Sequence, residues 1–432
     1  MPLGSRDLLR GSFWLVLASI LSQGSMLLAN LLVANLLGAS GYGHYALLQS
    51  TILVLAGLAQ ISFGVVIAQQ VSSLRVGNPA MAGEVAAFCF LVTAVISIVF
   101  TAALLIGREG VASAMFRDAA LTRGLALAAL ALPWFAVSAV QQGLFNGLER
   151  FRDQAAISVL LIPLVIMLPV AGAYYGGFEG ALAGLGLAYF SRAAVAHLVL
   201  SLAFRRMGIA WSLRNLRSKL RLLRDYALPA ALGGTMISLA VLGGQTLLVR
   251  SEAGSAQLGL FAAAFTVKTM VMFLPNQMAG VLLPILSRFH SGPERDKRRG
   301  LLYLNLAANL LATLGLVGLG ILFAPEVMGL FGRDFSSGSS VLAILLLAAP
   351  FEAATITLYQ DVQSKGLFLL PGLTVNLPLA ITVLAGAALL IPTQQAQGLA
   401  MAWLFGWMVA LLGTILAMRL GSGAVIAGER DR

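Results

Sequence analysis

Gly41-Tyr42-Gly43-His44-Tyr45-Ala46 and Gln257-Leu258-Gly259-Leu260-Phe261-Ala262 each follow a long apolar run, and they stand 216 residues apart. Three further pairs keep nearly the same spacing. Met115-Phe116-Arg117-Asp118 answers to Leu330-Phe331-Gly332-Arg333-Asp334 at an offset of 215 or 216. Leu132-Pro133-Trp134-Phe135 answers to Ala349-Pro350-Phe351-Glu352 at 217, and Gly180-Ala181-Leu182-Ala183 to Gly398-Leu399-Ala400-Met401 at 218. One offset held within three residues across four separate pairs marks an internal duplication.

The segments between these pairs are apolar throughout. Of the 432 residues 59% are hydrophobic and 10% charged, with a mean hydropathy of +0.91. A soluble protein carries about 25% charged residues to cover its surface, so two or three globular domains are excluded. A helix needs about 20 apolar residues to cross the hydrocarbon core. Candidate spans fall near 11–37, 44–68, 83–107, 121–146, 155–175, 180–203, 226–250, 259–287, 300–324, 340–361, 367–391 and 397–419. The fold class expected is an all-α polytopic membrane protein of twelve helices in two six-helix repeats. An even number of spans per half gives both halves one orientation, the parallel-repeat plan of transporters that carry their substrate path between the halves. No room is left for a separate catalytic domain, which argues against an enzyme. The domains expected are a lobe over 1–203, a linker over 204–225 and a lobe over 226–432.

The bases set the orientation. Of 28 Lys and Arg, 21 fall at the N-terminus, in the loops between even and odd spans, or in the C-terminal tail. Five fall on the other side, and Arg192 and Lys268 lie inside spans. Cytoplasmic loops are the ones enriched in Lys and Arg, so both termini are expected in the cytoplasm. A formal net charge of +11 is then chiefly topology and not a nucleic-acid surface. The single Cys89 excludes an intramolecular disulfide, and three histidines make a metal cluster unexpected. In the linker, Leu213, Leu216, Leu220 and Leu223 share a helical stripe flanked by Arg214, Arg217, Arg221 and Arg224. That pattern predicts an amphipathic interfacial helix on anionic membrane lipids.

Several short motifs carry a resemblance. Leu36-Leu37-Gly38-Ala39-Ser40-Gly41-Tyr42-Gly43-His44-Tyr45-Ala46 continues to Gly64, Gln69-Gln70 and Arg75. Gly143-Leu144-Phe145-Asn146-Gly147-Leu148-Glu149-Arg150-Phe151 follows span 4. Tyr226-Ala227-Leu228-Pro229, Gly259-Leu260-Phe261-Ala262 and Leu283-Pro284-Ile285-Leu286-Ser287-Arg288 occupy the second half. With these the chain resembles the polysaccharide-export flippases of the multidrug/oligosaccharidyl-lipid/polysaccharide superfamily over nearly its whole length. The resemblance implies two six-helix lobes around a central cavity in a bacterial inner membrane. It implies a polyprenyl-pyrophosphate-linked oligosaccharide as substrate, and a polysaccharide polymerase and glycosyltransferases as partners. No nucleic acid and no cofactor is expected, and coupling would be to Na+ or H+. Many relatives carry an Asp in the seventh span. Here the stretch is Gly243-Gly244-Gln245-Thr246, and its repeat mate is Asn30, also an amide. Span 1 has no acid either, which counts against the alternative, a cation-coupled multidrug or small-molecule exporter.

An anionic diphosphate and polar sugars must cross the bilayer core, so polar residues inside spans are the site candidates. A base at mid-helix costs roughly 2.5–3.5 kcal/mol on insertion scales and therefore faces a cavity or a partner. Lys268 and Arg192 are the substrate-binding candidates, the latter because its planar fork suits phosphate; the alternatives are headgroup contact for Lys268 and an ion pair with Glu84, Glu179 or Glu352 for Arg192. Glu352, directly after Pro350-Phe351, is the ion-coupling candidate or else a partner for Lys268. Asn30, Asn35 and Gln245 are candidates for sugar hydroxyls, or equally for holding helices together.

Overall fold

The computed structural model describes residues 5–61, 63–214, 219, 228–278, 295–364 and 369–430. Helix runs through nearly all of them, and no strand occurs among the described residues. Among the described residues, seven continuous helices are long and apolar enough to cross a membrane. Three of these are two helices joined at a sharp bend. Ser5–Gln60 bends at Gly38 (φ 65°), Ile162–Arg206 at Gly176 and Gly177 (φ 58°), and Leu377–Arg430 at Gln395 (φ 49°). Positive φ is readily adopted only by glycine, which is why two of the three turns are built on it. Dividing the helices there, and adding Leu228–Val249 and Gly254–Val271, gives twelve spans among the described residues. They are 5–37, 39–77, Pro79–Gly110, Leu121–Gly147, 151–175, 178–206, Leu228–Val249, Gly254–Val271, Arg295–Leu322, Ser339–Ser364, 369–394 and 396–430, and are called spans 1 to 12. The end expected for span 8 lies outside the described residues.

The chain forms two compact units. The first holds residues 1–37 and 44–231, the second 38–43 and 232–432. Spans 2, 3, 4 and 6 build the core of the first unit, around Phe63, Ile67, Phe88, Leu144, Leu200 and Phe204. Lipid tails are as apolar as these side chains, so close packing holds the helices together more than water exclusion does. Small residues make that packing tight. A Cβ added to Gly180 would overlap the backbone of Gly172 on the facing helix, and one added to Gly398 would overlap that of Leu390. Gly180 and Gly398 are the fourth repeat pair, and each meets a partner eight residues earlier. The offset of 218 therefore records the same hairpin built twice.

Residues 38–43 join the second unit through the first repeat pair. A Cβ on Gly43 would overlap the Ser255 carbonyl oxygen, and one on Gly259 the Ala39 carbonyl oxygen, a reciprocal approach of equivalent backbones. The Ser40 and Ser255 hydroxyls hydrogen-bond at 2.8 Å. Tyr42 is buried there, with ring centroids 5.9 Å from Phe335 and 6.4 Å from Phe331. In the first unit, His44 Nε2 lies 2.9 Å from Asp118 Oδ2. Thus the motifs after spans 1, 3, 7 and 9 are helix-end contacts.

The linker is tied to the first unit. Span 6 ends at Arg206, and 207–214 is not helical. The expected stripe therefore does not begin as a helix at Leu213 and Arg214; its residues from Leu216 to Arg224 lie outside the described residues. Trp211 holds this segment down, its ring 4.7 Å from Phe204 and 5.2 Å from Phe90. Lys219 adds an ion pair to Glu84 at 3.3 Å. These contacts tie Trp211 and Lys219 to the first unit.

Candidate functional site

The second unit buries a cation and an acid together. Lys268 stands near the end of span 8 and is 4% exposed, while Glu352 on span 10 is 8% exposed. The two form an ion pair. Pro350 lies inside span 10, two residues before Glu352; its missing N–H leaves a helix carbonyl without its usual donor. Lys268 Nζ also lies 5.2 Å from the ring centroid of Phe265, one turn earlier, and 5.5 Å from that of Trp407 on span 12. Each such cation–π contact is worth about 0.5–2 kcal/mol, more when desolvated. Trp403, one turn before Trp407, packs against Phe265 at 5.7 Å. Trp407 Nε1 is buried and has no hydrogen-bond partner among the described residues. The site thus offers an ammonium and a free indole N–H, both donors, with Glu352 occupying the ammonium.

Gln245 belongs to the same unit. It is 4% exposed, and its Oε1 is buried without a partner among the described residues. Span 7 is held close by small residues, Gly243 against Leu384 and Gly244 against Leu399. Asn30, its repeat mate, is buried in the first unit. Asn35 is not on the same face: it is five residues on, about 140° around the helix, and exposed. Its Nδ2 donates to the Leu31 carbonyl at 2.9 Å.

Arg192 stands in the first unit, half-buried on span 6. None of the three acids considered for it forms an ion pair with it among the described residues. Glu84 is held by Lys219 and Glu352 by Lys268. Arg192 instead lines a small pocket of about 10 Å³, with Ser138, Gln141 and Phe145 of span 4 and Gln154 of span 5. His197 is exposed on span 6 with its ring near Phe90 and Trp211. Sequence reading missed Trp407, Gln141 and Gln154. Trp407 was legible as part of a Trp403–Trp407 stripe at helical spacing, and Gln141 as an amide inside span 4.

A family model described as Polysaccharide biosynthesis protein matches residues 8–290. The EPS I polysaccharide export inner membrane protein EpsE of Ralstonia solanacearum is 26% identical over 363 residues, covering 81% of this chain and 80% of its own. Stage V sporulation protein B of Bacillus subtilis strain 168 is 23% identical over 383 residues, covering 81% of this chain and 70% of its own. Among solved structures, an inward-facing multidrug resistance MATE family transporter of the MOP superfamily superposes with a TM-score of 0.78 at 16% identity, over 95% of this chain and 98% of that one. The lipid II flippase MurJ, in an inward closed conformation, superposes with a TM-score of 0.76 at 11% identity, over 94% and 87%. The superpositions show a shared fold, two repeats of six membrane helices. By its match over residues 8–290, the chain belongs to the polysaccharide biosynthesis protein family.

Proposed function

We infer that the protein is a bacterial inner-membrane flippase. Its substrate is a polyprenyl-pyrophosphate-linked oligosaccharide used for O-antigen, capsule or exopolysaccharide synthesis, moved by alternating access. The observation that carries the reading is the Lys268–Glu352 pair under Trp407. The lipid tail of such a substrate can stay in the bilayer, but its diphosphate needs cationic donors at membrane depth. Lys268 and the Trp407 N–H, which has no partner among the described residues, supply them.

Glu352 gives that site a counter-charge. A buried lysine without its acid would be strongly destabilising, so Glu352 serves as the counter-charge of Lys268 until an anion takes its place. The displaced carboxylate is then the group to bind H+ or Na+. Gln245 and Asn30 are neutral hydrogen-bonding groups for the glycan. The base distribution puts both termini in the cytoplasm and the basic linker against anionic lipids. A polymerase and glycosyltransferases supply and consume the substrate. The EpsE and MurJ names, polysaccharide export and lipid II flipping, support this class of cargo.

Deleting the gene and extracting lipids tests the reading. Accumulation of a completed lipid-linked glycan on the cytoplasmic face is the expected result. Unchanged glycan lipids with new drug sensitivity would replace the reading with that of a small-molecule exporter.

A further inference from the structure

The chain turns back sharply after span 6 and carries its bases with it. The Met207 N–H donates to the Ala203 carbonyl at 3.0 Å and the Ile209 N–H to the Phe204 carbonyl at 2.9 Å, with Gly208 between them at φ 66°. Glycine takes that left-handed turn without strain. A Cβ on Gly83 of span 3 would overlap the Ala210 carbonyl oxygen, so the returning backbone lies against span 3. Trp211 stacks on Phe204, and the Ser212 Oγ accepts from the Arg214 N–H at 3.3 Å. Residues 205–214 thus present Arg205, Arg206 and Arg214 from a backbone held on spans 3 and 6.

All three arginines are exposed, and none pairs with an acid among the described residues. The described acids at this end of the first unit are already held: Glu84 by Lys219, Glu149 by Arg75 and Asp153 by Arg150. Met207 and Leu213, interleaved with the arginines, are 38% and 55% exposed. Exposed apolar side chains among cations suit the boundary between lipid headgroups and acyl chains, whereas a surface turned to the cytosol would leave them in water. Topology asks only for charge, which lysine supplies equally. A guanidinium adds a planar fork that takes two phosphate oxygens at once. A phosphodiester headgroup has one phosphorus centre, enough for one fork. A diphosphate carries oxygens on two centres and more negative charge, so it can engage two or three forks together.

We propose that Arg205, Arg206 and Arg214 form a docking surface for the diphosphate of a polyprenyl-diphosphate lipid, a contact distinct from Lys268. That the docked lipid is cargo, and the leaflet cytoplasmic, rests on the flippase reading.

The test uses the full-length protein in lipid nanodiscs, carrying Lys268→Met and Glu352→Leu to remove the buried contact. Native mass spectrometry reads the binding of two probes, polyprenyl diphosphate and phosphatidylglycerol. The diphosphate is expected to bind roughly tenfold more tightly, the worth of one further charged hydrogen bond. Arg205→Lys, Arg206→Lys and Arg214→Lys together keep charge and topology; they should erase that preference while phosphatidylglycerol binding stays within about twofold. Glutamine at the three positions should weaken the diphosphate on the order of a hundredfold. The same changes in the otherwise wild-type chain should lower diphosphate binding in the same order, so the outcome does not depend on the folding of the double variant. A preference that survives the lysines would overturn the proposal by leaving charge alone at work. Equal binding of both probes before any arginine is changed would overturn it by making this a surface for bulk anionic lipid. Diphosphate binding untouched by glutamine would overturn it by turning the surface away from lipid. Failure of the lysine test in a protein that still translocates glycan in liposomes sinks the docking surface alone. A protein that keeps the preference yet moves no glycan sinks the flippase reading alone.

Discussion

In the second unit the intramembrane cation Lys268 is matched by Glu352 and covered by Phe265 and Trp407, whereas in the first unit Arg192 has no acid partner among the described residues and shares its pocket with glutamines. The repeat offsets show where the difference comes from. Lys268 corresponds to the fully buried Ile52, and Glu352 to Phe135, which stacks on Tyr189 at 3.5 Å. Arg192 corresponds to Ala410 and Gln141 to Leu358, both buried. What the halves kept in common is packing: Gly180 with Gly398, Gly43 with Gly259, and Pro133 with Pro350 inside spans 4 and 10. These four polar groups stand in one copy only, whereas the buried amides Asn30 and Gln245 stand in both. A duplicated scaffold has thus been given an ion pair in one unit and an arginine among glutamines in the other.

The comparison breaks most readily at the ion pair. Glu352→Ala should cost about 3–5 kcal/mol of stability, because it strands a buried ammonium. Equilibrium unfolding in mixed detergent would measure that loss, and a loss under about 1 kcal/mol would show that Lys268 has another counter-charge. Replacing both partners, as Lys268→Met with Glu352→Leu, should recover most of the stability, since buried ion pairs exchanged for packed apolar groups are often neutral. Surface glycan should stay absent in that double variant. Export restored along with stability would reduce the pair to a structural element.

The shared scaffold predicts a matched response of intermediate size. Gly180→Ala and Gly398→Ala each place a Cβ against the facing backbone, and each should cost about 1–3 kcal/mol by overpacking. Unequal costs would mean that the two hairpins are not equivalent. Arg192→Gln sharpens the contrast at the small end. With no ion pair to lose, it should shift stability by less than about 0.5 kcal/mol while lowering glycan export, and a large destabilisation would mean that Arg192 is a structural residue.

Much of this was legible in the amino-acid order. Twelve spans and the duplication follow from apolar length and from glycines and prolines at one offset, properties set locally along the chain. Lys268, Arg192 and Glu352 stand out because charge at membrane depth is costly. The pairing of Lys268 with Glu352 was one of two open readings, since 84 residues separate them and only helix packing brings spans 8 and 10 together. The Arg192 pocket was less legible. Its charge was visible, but the orientation of Gln141 depends on a bond to a backbone carbonyl of another span. Trp211 shows the same limit. The leucine stripe beside it has helical spacing, yet stacking on Phe204 and an edge contact with Phe90 hold the start of the linker in non-helical backbone.

The most direct measurement reconstitutes the purified protein into liposomes carrying a polyprenyl-diphosphate oligosaccharide on one leaflet, and follows its exposure to a membrane-impermeant glycosidase on the other. Wild-type protein should expose the glycan with time, and the Lys268→Met, Glu352→Leu double variant, folded to the same extent, should not. Liposomes in which wild-type protein leaves the glycan as protected as in protein-free vesicles would contradict the account.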